Sequence, residues 1–388
     1  MKIIPYGRQC ISDYDKQAVL DVLSSEYITQ GPVVEEFENS FAEYVGAEYA
    51  VAVANGTAAL HLSAMALGVS PNSKVITTPI TFAASANCIG YCGGEIVFAD
   101  IDTDTYLLDI NKVEELICKE PKGTYEGIIP VDFAGQPVNM ELYRKLADKH
   151  GLWIIEDACH APGGYFMDTS GKMQLCGNGQ FADLSIFSFH PVKHIATGEG
   201  GMVTTNSKLL YDKLCLLRSH GITRDPELLI DNHGGWYYEM QEIGYNYRLS
   251  DIHSALGVSQ LKAARKNICR RSEIAEKYDA GLKGTHYVLP YRQSENYHAF
   301  HLYVILTDKR KELYYYLREL GIYTQVHYIP VHLQPYYKNL GWKQGDFSIA
   351  ENYYSKCLSL PMYPSLMDKE IDYVIESLLN FEIKHFSR

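Results

Sequence analysis

One stretch carries the most information about this chain: Leu184-Ser185-Ile186-Phe187-Ser188-Phe189-His190-Pro191-Val192-Lys193. Its first six residues are mainly apolar, and such runs are typical of strands that are buried on both faces. Lys193 then lies on a loop, just before the glycine-rich run Thr197–Gly201. A lysine in this position is a candidate for Schiff-base chemistry with a carbonyl compound. Most lysines, however, are solvated surface charges, so the stretch needs support from the rest of the chain.

Short β-rich runs alternate with helical runs on both sides of this stretch. That alternation predicts an α/β fold with a mostly parallel sheet covered by helices. The other strand candidates of the sheet are Val51–Ala54, Val75–Thr78, Ile96–Ala99, Gly127–Val131, Leu152–Ile155 and Met202–Thr205. Helical character is found at Gly56–Gly68 and Met140–His150.

The second half of the chain predicts a smaller domain. A long helix over Leu249–Leu282 should connect it to the sheet, and the remainder mixes a strand at His301–Leu306 with helices at Lys311–Leu320 and Lys369–Phe381. We therefore expect a large domain over residues 1–262 and a small C-terminal α/β domain over residues 263–388.

The bulk composition excludes several classes of protein. The chain has 388 residues, of which 46% are hydrophobic, and a net charge of −12, which argues against a nucleic-acid partner. It contains no apolar run of the ~20 residues that cross a bilayer, and Met1–Arg8 does not resemble a secretion signal. Its nine cysteines form no CxxC pair. We expect a cytoplasmic protein with buried free thiols, no membrane contact and no metal.

Two further polar sites should follow predicted strands, at the edge of the sheet where ligands bind in such folds. Asn55-Gly56-Thr57 opens a helix, whose free N–H groups and dipole suit a phosphate. Asp157 ends the strand Ile154-Ile155-Glu156-Asp157, and a carboxylate there can keep a pyridine nitrogen protonated. Ordinary helix caps would explain each site alone. Together with Lys193, in this order, they predict a site for pyridoxal 5′-phosphate (PLP), whose protonated ring is an electron sink.

These motifs resemble those of the DegT/DnrJ/EryC1/StrS sugar aminotransferases. The resemblance rests on Phe187–Lys193 with Thr197–Gly201, on Tyr245-Asn246-Tyr247-Arg248-Leu249 and on Thr29-Gln30-Gly31-Pro32, and it covers essentially the whole chain. It implies fold type I of the PLP-dependent enzymes, and a homodimer with active sites at the subunit interface.

The resemblance also implies roles for individual residues. Lys193 would bind PLP covalently, and Asp157 would face the pyridine nitrogen. His160 would lie near the phenolic oxygen, and Phe82 would stack on the ring, where several relatives have a larger Trp. The phosphate would be bound by Gly56, Thr57 and Ser188, and by Asn246 of the neighbouring subunit.

Finer details are similar to the branch of the family that acts in pseudaminic acid (nonulosonate) biosynthesis. They are found in Gly321–His332 and His220–Asp225 and near Tyr6. That branch implies a UDP-linked 4-keto-6-deoxy N-acetylamino sugar, aminated at C4 with L-glutamate as donor and 2-oxoglutarate as product. The residues that it implies for the substrate pocket are Tyr6, Tyr27, Ile28, Thr29, Gln30, Gln325, Val326, His327, Tyr328 and His332.

Other interpretations stay open at this point. The chain could aminate another nucleotide-linked keto sugar, or the 3-position of the ring. A related dehydrating branch has His in place of the lysine, which Lys193 disfavours, and a non-catalytic regulator would typically lack Lys193 or Asp157. A nucleotide-binding dehydrogenase is disfavoured because the first strand–helix turn lacks GxGxxG.

Overall fold

The computed structural model describes residues 3–386 and confirms the α/β architecture. Its strands, in chain order, are β1 Tyr49–Val53, β2 Lys74–Thr77, β3 Glu95–Phe98, β4 Gly127–Ile129, β5 Trp153–Asp157, β6 Tyr165–Met167, β7 Met173–Leu175, β8 Leu184–Ser188, β9 Gly201–Thr205, β10 Ile222–Thr223, β11 Glu239–Met240, β12 Tyr303–Leu306 and β13 Cys357–Leu360.

Helices cover this framework throughout the described residues. They are α1 Asp13–Leu23, α2 Pro32–Val45, α3 Gly56–Ala66, α4 Ala84–Tyr91, α5 Ile110–Lys119, α6 Met140–His150, α7 Lys208–Leu217, α8 Asp251–Leu282, α9 Arg310–Glu319, α10 Pro335–Asn339, α11 Ser348–Lys356 and α12 Asp368–Phe386. Two short 3₁₀ helices occur at Phe133–Gly135 and Val331–Leu333.

The central sheet has seven strands in the order β1-β9-β8-β5-β4-β2-β3. The pairs from β8 to β3 are parallel, whereas β9 runs antiparallel to both β1 and β8. The sheet is thus mostly parallel, as predicted. Its strands are almost completely buried, which explains why they are near-continuous apolar runs in the sequence.

The helix α3 begins directly after β1 because Asn55 caps it. The Asn55 Oδ1 accepts a hydrogen bond of 2.8 Å from the Ala58 N–H, which satisfies one of the free donors of the first turn. Most of the helix is buried, and its alanines and leucines favour helix formation while packing into the core of the sheet. The first turn is thereby fixed at the carboxyl end of β1.

The helix α8 links the sheet to the C-terminal part of the chain. It is 32 residues long, and the predicted domain boundary at 262/263 falls within it. Towards its end, Ile274, Tyr278 and Leu282 join a second apolar core with side chains of β12, β13, α9 and α12. The strands β12 and β13 form an antiparallel pair in this part. The division into two domains stays a prediction.

Some details differ from the sequence-based expectations. The strand expected at His301–Leu306 begins at Tyr303, so His301 lies on the preceding loop. The β6–β7 and β10–β11 hairpins were not expected, since strands of two or three residues leave almost no periodicity. All nine cysteines are free, but Cys10, Cys118 and Cys269 are exposed rather than buried. Within residues 3–386, no helix is both long and apolar enough to span a bilayer.

Candidate active site

A cavity of about 910 Å³ lies at the carboxyl ends of the parallel strands. Because these ends meet at one edge of the sheet, the loops after β1, β5 and β8 converge there. Twelve of the predicted site residues line it: Tyr6, Gly56, Thr57, Phe82, Asp157, His160, Ser188, Lys193, Gln325, Val326, His327 and Tyr328. The cavity therefore unites the three sequence motifs that are far apart in the chain.

The start of α3 forms one wall, and two glycines allow its close packing. A Cβ added at Gly56 would lie 2.9 Å from the Ser188 Cβ, so the α3 turn and the end of β8 are in direct contact. A Cβ at Gly201 would lie 2.5 Å from the carbonyl oxygen of Asn55. The glycine-rich run predicted near Lys193 thus lets β9 approach the turn. Thr57 and Ser188 place two hydroxyls beside the positive end of the helix dipole.

Asp157 is the acid at the bottom of the cavity, and its exposed fraction is 5%. The Ser85 hydroxyl, from α4, donates a hydrogen bond of 2.6 Å to Asp157 Oδ2. The Cys159 N–H lies 3.2 Å from Asp157 Oδ1 and donates to it. Hydrogen bonds to a carboxylate are stronger than neutral ones and favour its charged state. The two hydrogen bonds thus orient the Asp157 carboxyl group, which lines the cavity.

Lys193 lies across the cavity, on the loop after β8. Its N–H donates to the His190 carbonyl at 2.8 Å, which fixes the backbone of the loop. Burial lowers the pKa of the Lys193 amine, while the neighbouring Cys159 and Asp157 oppose that shift. The net direction favours the neutral amine, which is the nucleophilic and basic form.

His160 is buried between the turn after β4 and the C-terminal part of the chain. Its Nδ1 accepts a hydrogen bond of 3.2 Å from the Ala134 N–H, and its Nε2 lies 3.3 Å from the Tyr328 hydroxyl. Burial, reinforced by the nearby Lys193, holds the pKa of His160 well below its usual range. The ring is therefore neutral, and because Nδ1 accepts, the proton is on Nε2.

Aromatic side chains form the mouth of the cavity. The Phe82 ring is 62% exposed, and its centroid lies 6.3 Å from that of Tyr328. The Tyr6 ring packs at 5.4 Å from His327, whose Nδ1 lies 2.8 Å from the Ser359 hydroxyl. Burial lowers the pKa of His327 to about 3, so this wall is uncharged. Phe82 thus presents an uncovered aromatic surface at the mouth of the cavity.

Six other predicted residues do not line this cavity in the single chain. They are Asn246, Tyr27, Ile28, Thr29, Gln30 and His332. Asn246 forms a bridge to Ser219, and Gln30 borders a second cavity of about 470 Å³. His332 is buried with its Nε2 at 3.1 Å from a Glu351 carboxylate oxygen. Their roles in binding stay predictions.

Two residues of the site were missed from the sequence. Ser85 bonds to Asp157 across 72 positions of the chain, and no motif connects them. His301 was predicted only as the first residue of a strand, yet it lines the cavity with its ring centroid 4.3 Å from that of His160. Its position just before β12 was the only available signal. Both contacts depend on tertiary packing rather than on local pattern.

The fold and this site define the class of protein: a fold type I PLP-dependent aminotransferase. The chain belongs to the DegT/DnrJ/EryC1/StrS aminotransferase family, whose model matches residues 9–379. Aminotransferases of this family are PLP-dependent enzymes that act on nucleotide sugars, and this chain is an enzyme of that class.

Three similar proteins illustrate its place in the family. The spore coat polysaccharide biosynthesis protein SpsC of Bacillus subtilis (strain 168) is 40% identical over 384 residues, which cover 97% of this chain and 96% of SpsC. The UDP-4-amino-4,6-dideoxy-N-acetyl-beta-L-altrosamine transaminase of Campylobacter jejuni (serotype O:23/36, strain 81-176) is 38% identical over 391 residues, 97% of each chain. The solved structure of Helicobacter pylori PseC, an aminotransferase involved in the biosynthesis of pseudoaminic acid, matches with a TM-score of 0.88 and 33% identity, covering 99% of this chain and 100% of PseC.

The residues of the cavity fit PLP. Its phosphate requires donors and positive potential, which the α3 N-terminus with Thr57 and Ser188 supplies. The ring nitrogen requires an acidic partner, and the Asp157 carboxyl is oriented in the cavity by the Ser85 hydroxyl. The aldehyde requires an amine whose neutral form is accessible, and burial favours that form of Lys193.

Proposed function

We propose that this enzyme transfers an amino group from L-glutamate to C4 of a UDP-linked 4-keto-6-deoxy N-acetylamino sugar, releasing 2-oxoglutarate, in the biosynthesis of pseudaminic acid. The observation that carries the proposal is the 38% identity over 97% of the chain to a transaminase named for such a UDP-amino sugar. The likeness to PseC along 99% of the chain supports the same pathway.

The cavity suits this reaction. PLP supplies an electron sink at the donor's α-carbon and carries the amino group between the two substrates. Thr57, Gly56 and Ser188 would hold its phosphate, and Asp157 would keep its ring nitrogen protonated. Phe82 would lie against the exposed face of the ring. The neutral His160 would donate from Nε2 to the phenolic oxygen.

Lys193 is the residue that moves protons. Its neutral amine would remove the α-proton of L-glutamate and deliver it to C4′ of the cofactor. With the keto sugar, the same amine would move a proton in the opposite direction, to C4 of the sugar. A positioned general base of this kind contributes about 10²–10⁴ in rate. The uncharged wall around His327 and Tyr328 would keep water from competing for that amine.

A second copy of this chain would complete the site. We define the arm as residues 222–245, which includes the hairpin of β10 and β11. Its large apolar side chains are exposed, with Ile230 at 85%, Trp236 at 75% and Ile243 at 76%. Concentrated exposed apolar surface marks an interaction site. A homodimer in which the arm packs on the partner would bring Asn246, at the end of the arm, towards the partner's phosphate site.

The 40% identity to SpsC favours a second candidate substrate. That relative is named for spore coat polysaccharide biosynthesis, so the acceptor of the present enzyme would be a different nucleotide-linked keto sugar. The catalytic roles above would be unchanged, because they concern the cofactor and the amino donor. For either substrate we place the enzyme in the cytoplasm.

Half-reactions test the proposal separately. The purified protein is saturated with PLP, and its absorbance spectrum is recorded before and after L-glutamate. Conversion to the pyridoxamine form with release of 2-oxoglutarate is expected, and an unchanged spectrum would contradict glutamate as donor.

The second half-reaction tests the acceptor. The UDP-linked 4-keto sugar is then added, with GDP- and dTDP-linked 4-keto sugars as controls. Mass spectrometry should show an amino sugar, with return of the PLP spectrum, for the UDP-linked substrate. Preference for a different nucleotide would support the second candidate.

A further inference from the structure

Two buried carboxyl groups, those of Asp132 and Glu156, lie behind the active site. Asp132 follows β4, and Glu156 precedes Asp157 in β5, so its side chain lies on the opposite face of the sheet from that of Asp157. Their exposed fractions are 0% and 4%. Oxygen atoms of the two residues and the sulfur of Cys176 all lie within 4.8 Å of one another. Among residues 3–386, no lysine or arginine bonds to either carboxyl.

The hydrogen bonds indicate where a proton belongs. Glu156 Oε2 accepts from the Gly177 N–H at 3.0 Å and from the Ser185 hydroxyl at 2.7 Å. Burial raises the pKa of Glu156, and these two hydrogen bonds oppose the rise by favouring the charged form. Asp132 Oδ1 accepts from the Val138 N–H at 2.8 Å, and the Cys176 thiol is a weak donor close to the same carboxyl. The buried Oδ2 has no hydrogen bond of good geometry among the described residues. A protonated Oδ2 would donate to Glu156 and account for the unpartnered atom.

Electrostatics agrees with that placement. Two buried carboxylates this close repel each other strongly, so the pair retains a proton that solvated acids would lose. Burial, followed by the charge of Glu156, raises the pKa of Asp132 well above its ordinary range. The titratable and charged groups that face the pair are Cys176, Asp157 and Cys159. Burial raises the pKa of both thiols, so neither competes for the charge.

Asp132 also closes the turn that contacts His160. Its side chain bonds to Val138, and its carbonyl accepts from the Gly135 N–H at 3.1 Å. Between these bonds, Ala134 has a φ of 60°, in the left-handed region that a non-glycine residue adopts only when it is held there. That conformation belongs to the turn whose Ala134 N–H donates to His160 Nδ1.

We propose that Asp132 and Glu156 share one proton at neutral pH, and that this hydrogen-bonded pair makes Asp132 a positioning residue that holds the Ala134 N–H against His160. The turn thereby fixes the Nε2–H tautomer of His160, the form that can donate towards the cofactor. This second step rests on the proposed role of His160 at the cofactor. The shared proton itself is independent of that role, and it is tested on the protein without PLP.

Infrared spectroscopy tests the shared proton. At pH 7 to 8 the PLP-free protein should show a carbonyl stretch of a protonated carboxyl, which Asp132→Asn removes. Glu156→Gln should shift this band rather than remove it, because burial still raises the pKa of Asp132 when its charged partner is gone. Asp100→Asn is the matched control, since Asp100 accepts the N–H groups of Ile349 and Ala350 far from the pair, and it should retain the band. A wild-type spectrum without such a band overturns the proposal. So does a divalent metal bound stoichiometrically to the wild type and lost in Asp132→Asn.

The pH dependence of unfolding gives a second test. Because the pKa of Asp132 is raised by folding, the native state binds more protons than the unfolded chain between about pH 4 and that raised value. Stability is therefore lost as the pH rises through this window, by up to about tenfold in the unfolding equilibrium constant per pH unit. Asp132→Asn should lack this contribution, and Asp100→Asn should retain it. An identical slope in Asp132→Asn contradicts the shared proton.

The positioning role is tested by comparing two substitutions at one position. Asn can still accept from Val138 and donate to Glu156, so Asp132→Asn should keep kcat within about threefold, whereas Asp132→Ala should lower it by about tenfold or more. The ¹⁵N resonances of His160 should show the Nε2–H tautomer in the wild type and Asp132→Asn only. If Asp132→Ala does not fold, the result for Asp132→Asn decides. Loss of the Nε2–H tautomer of His160 in that variant contradicts the positioning role of Asp132, and retention of the tautomer supports it. A shared proton with an unchanged His160 in Asp132→Ala would refute the positioning step alone.

Discussion

The Ser85 hydroxyl lies 2.6 Å from Asp157 Oδ2 and donates a hydrogen bond to it. Ser85 belongs to α4, whereas Asp157 is the last residue of β5. The two groups are 1% and 5% exposed. The other carboxylate oxygen of Asp157 accepts a hydrogen bond from the Cys159 N–H. The acid that lines the cavity is therefore oriented by a residue that is distant in the sequence.

Ser85→Ala should reduce catalysis while leaving the fold intact. Removing a hydrogen bond to a charged group costs about 1.5–3 kcal/mol, and we expect roughly a tenfold or larger loss in kcat/KM because Asp157 is less well oriented. Steady-state kinetics of the PLP-loaded variant measures this. Ser377→Ala is the matched control, since that buried hydroxyl donates to the Tyr373 carbonyl in α12, remote from the cavity. Equal rates for Ser85→Ala and wild type would contradict the role of Ser85.

Lys193→Ala should abolish turnover, since no other lysine lines the cavity among the described residues. The variant should also fail to show the visible absorbance of lysine-bound PLP. Lys172, an exposed lysine between β6 and β7, gives the control Lys172→Ala, which should behave as the wild type. Normal turnover by Lys193→Ala would remove the central residue of the proposed mechanism.

Asp157→Asn should bind PLP but lose most activity. The amide is nearly isosteric, so the Ser85 and Cys159 contacts can partly persist, but it carries no charge to keep the ring nitrogen protonated. The comparison uses PLP affinity by fluorescence quenching and kcat by the coupled release of 2-oxoglutarate. Asp109→Asn, at the N-cap of α5, serves as control. Full activity in Asp157→Asn would rule out the role of the acid in electron withdrawal.

The sequence predicted the parts of this molecule that local pattern determines. Apolar runs located the strands of the sheet, and the α6 bounds were predicted as they occur, because capping and periodicity act over a few residues. The Lys193 loop and Asp157 were placed at the correct edge because strand ends in a parallel sheet converge. Ser85 and His301 were not predicted, since their positions depend on how α4 and the loop before β12 pack.

The antiparallel insertion of β9 was likewise not predictable from pattern. A strand that is buried on both faces has the same composition in either direction, so its run of apolar residues does not reveal its orientation. The close approach at Gly201 explains afterwards why this strand begins with glycine. Tyr27–Gln30 were predicted for the substrate pocket, but in the single chain they lie outside the cavity, and their role in binding stays a prediction.

His298→Asn should make the protein more resistant to acid. Burial lowers the pKa of His298 to about 3, below the ~6.5 of an unfolded histidine. The native state therefore binds fewer protons, and stability present above pH 6.5 is lost as the pH falls towards 3. At pH 5 the loss is on the order of 2 kcal/mol relative to pH 7. Asn can replace Nδ1 as acceptor for the Phe300 N–H, which is now at 2.8 Å.

Urea unfolding at pH 7 and pH 5 measures this effect. The drop in the free energy of unfolding between the two pH values should be smaller in His298→Asn by that amount. His233→Asn is the control, because its side chain is exposed on the arm and it should show the wild-type drop. An unchanged drop in His298→Asn would mean that the buried ring is not a source of the acid sensitivity.

Trp236→Ala should weaken association of the chain with itself. Trp236 is 75% exposed on the arm, which also carries the exposed Ile230 and Ile243, and hot spots of interfaces are enriched in Trp. We expect sedimentation velocity to show a dimer for the wild type and an increased monomer fraction for the variant, with a Kd raised about tenfold or more. PLP affinity should fall in parallel, because Asn246 would no longer reach the partner's phosphate site. Leu209→Ala, at a 78% exposed position on α7 outside the arm, should affect neither quantity. A dimer that is unchanged in Trp236→Ala, with normal PLP affinity, would mean that the apolar arm is not the surface that brings the two cavities together.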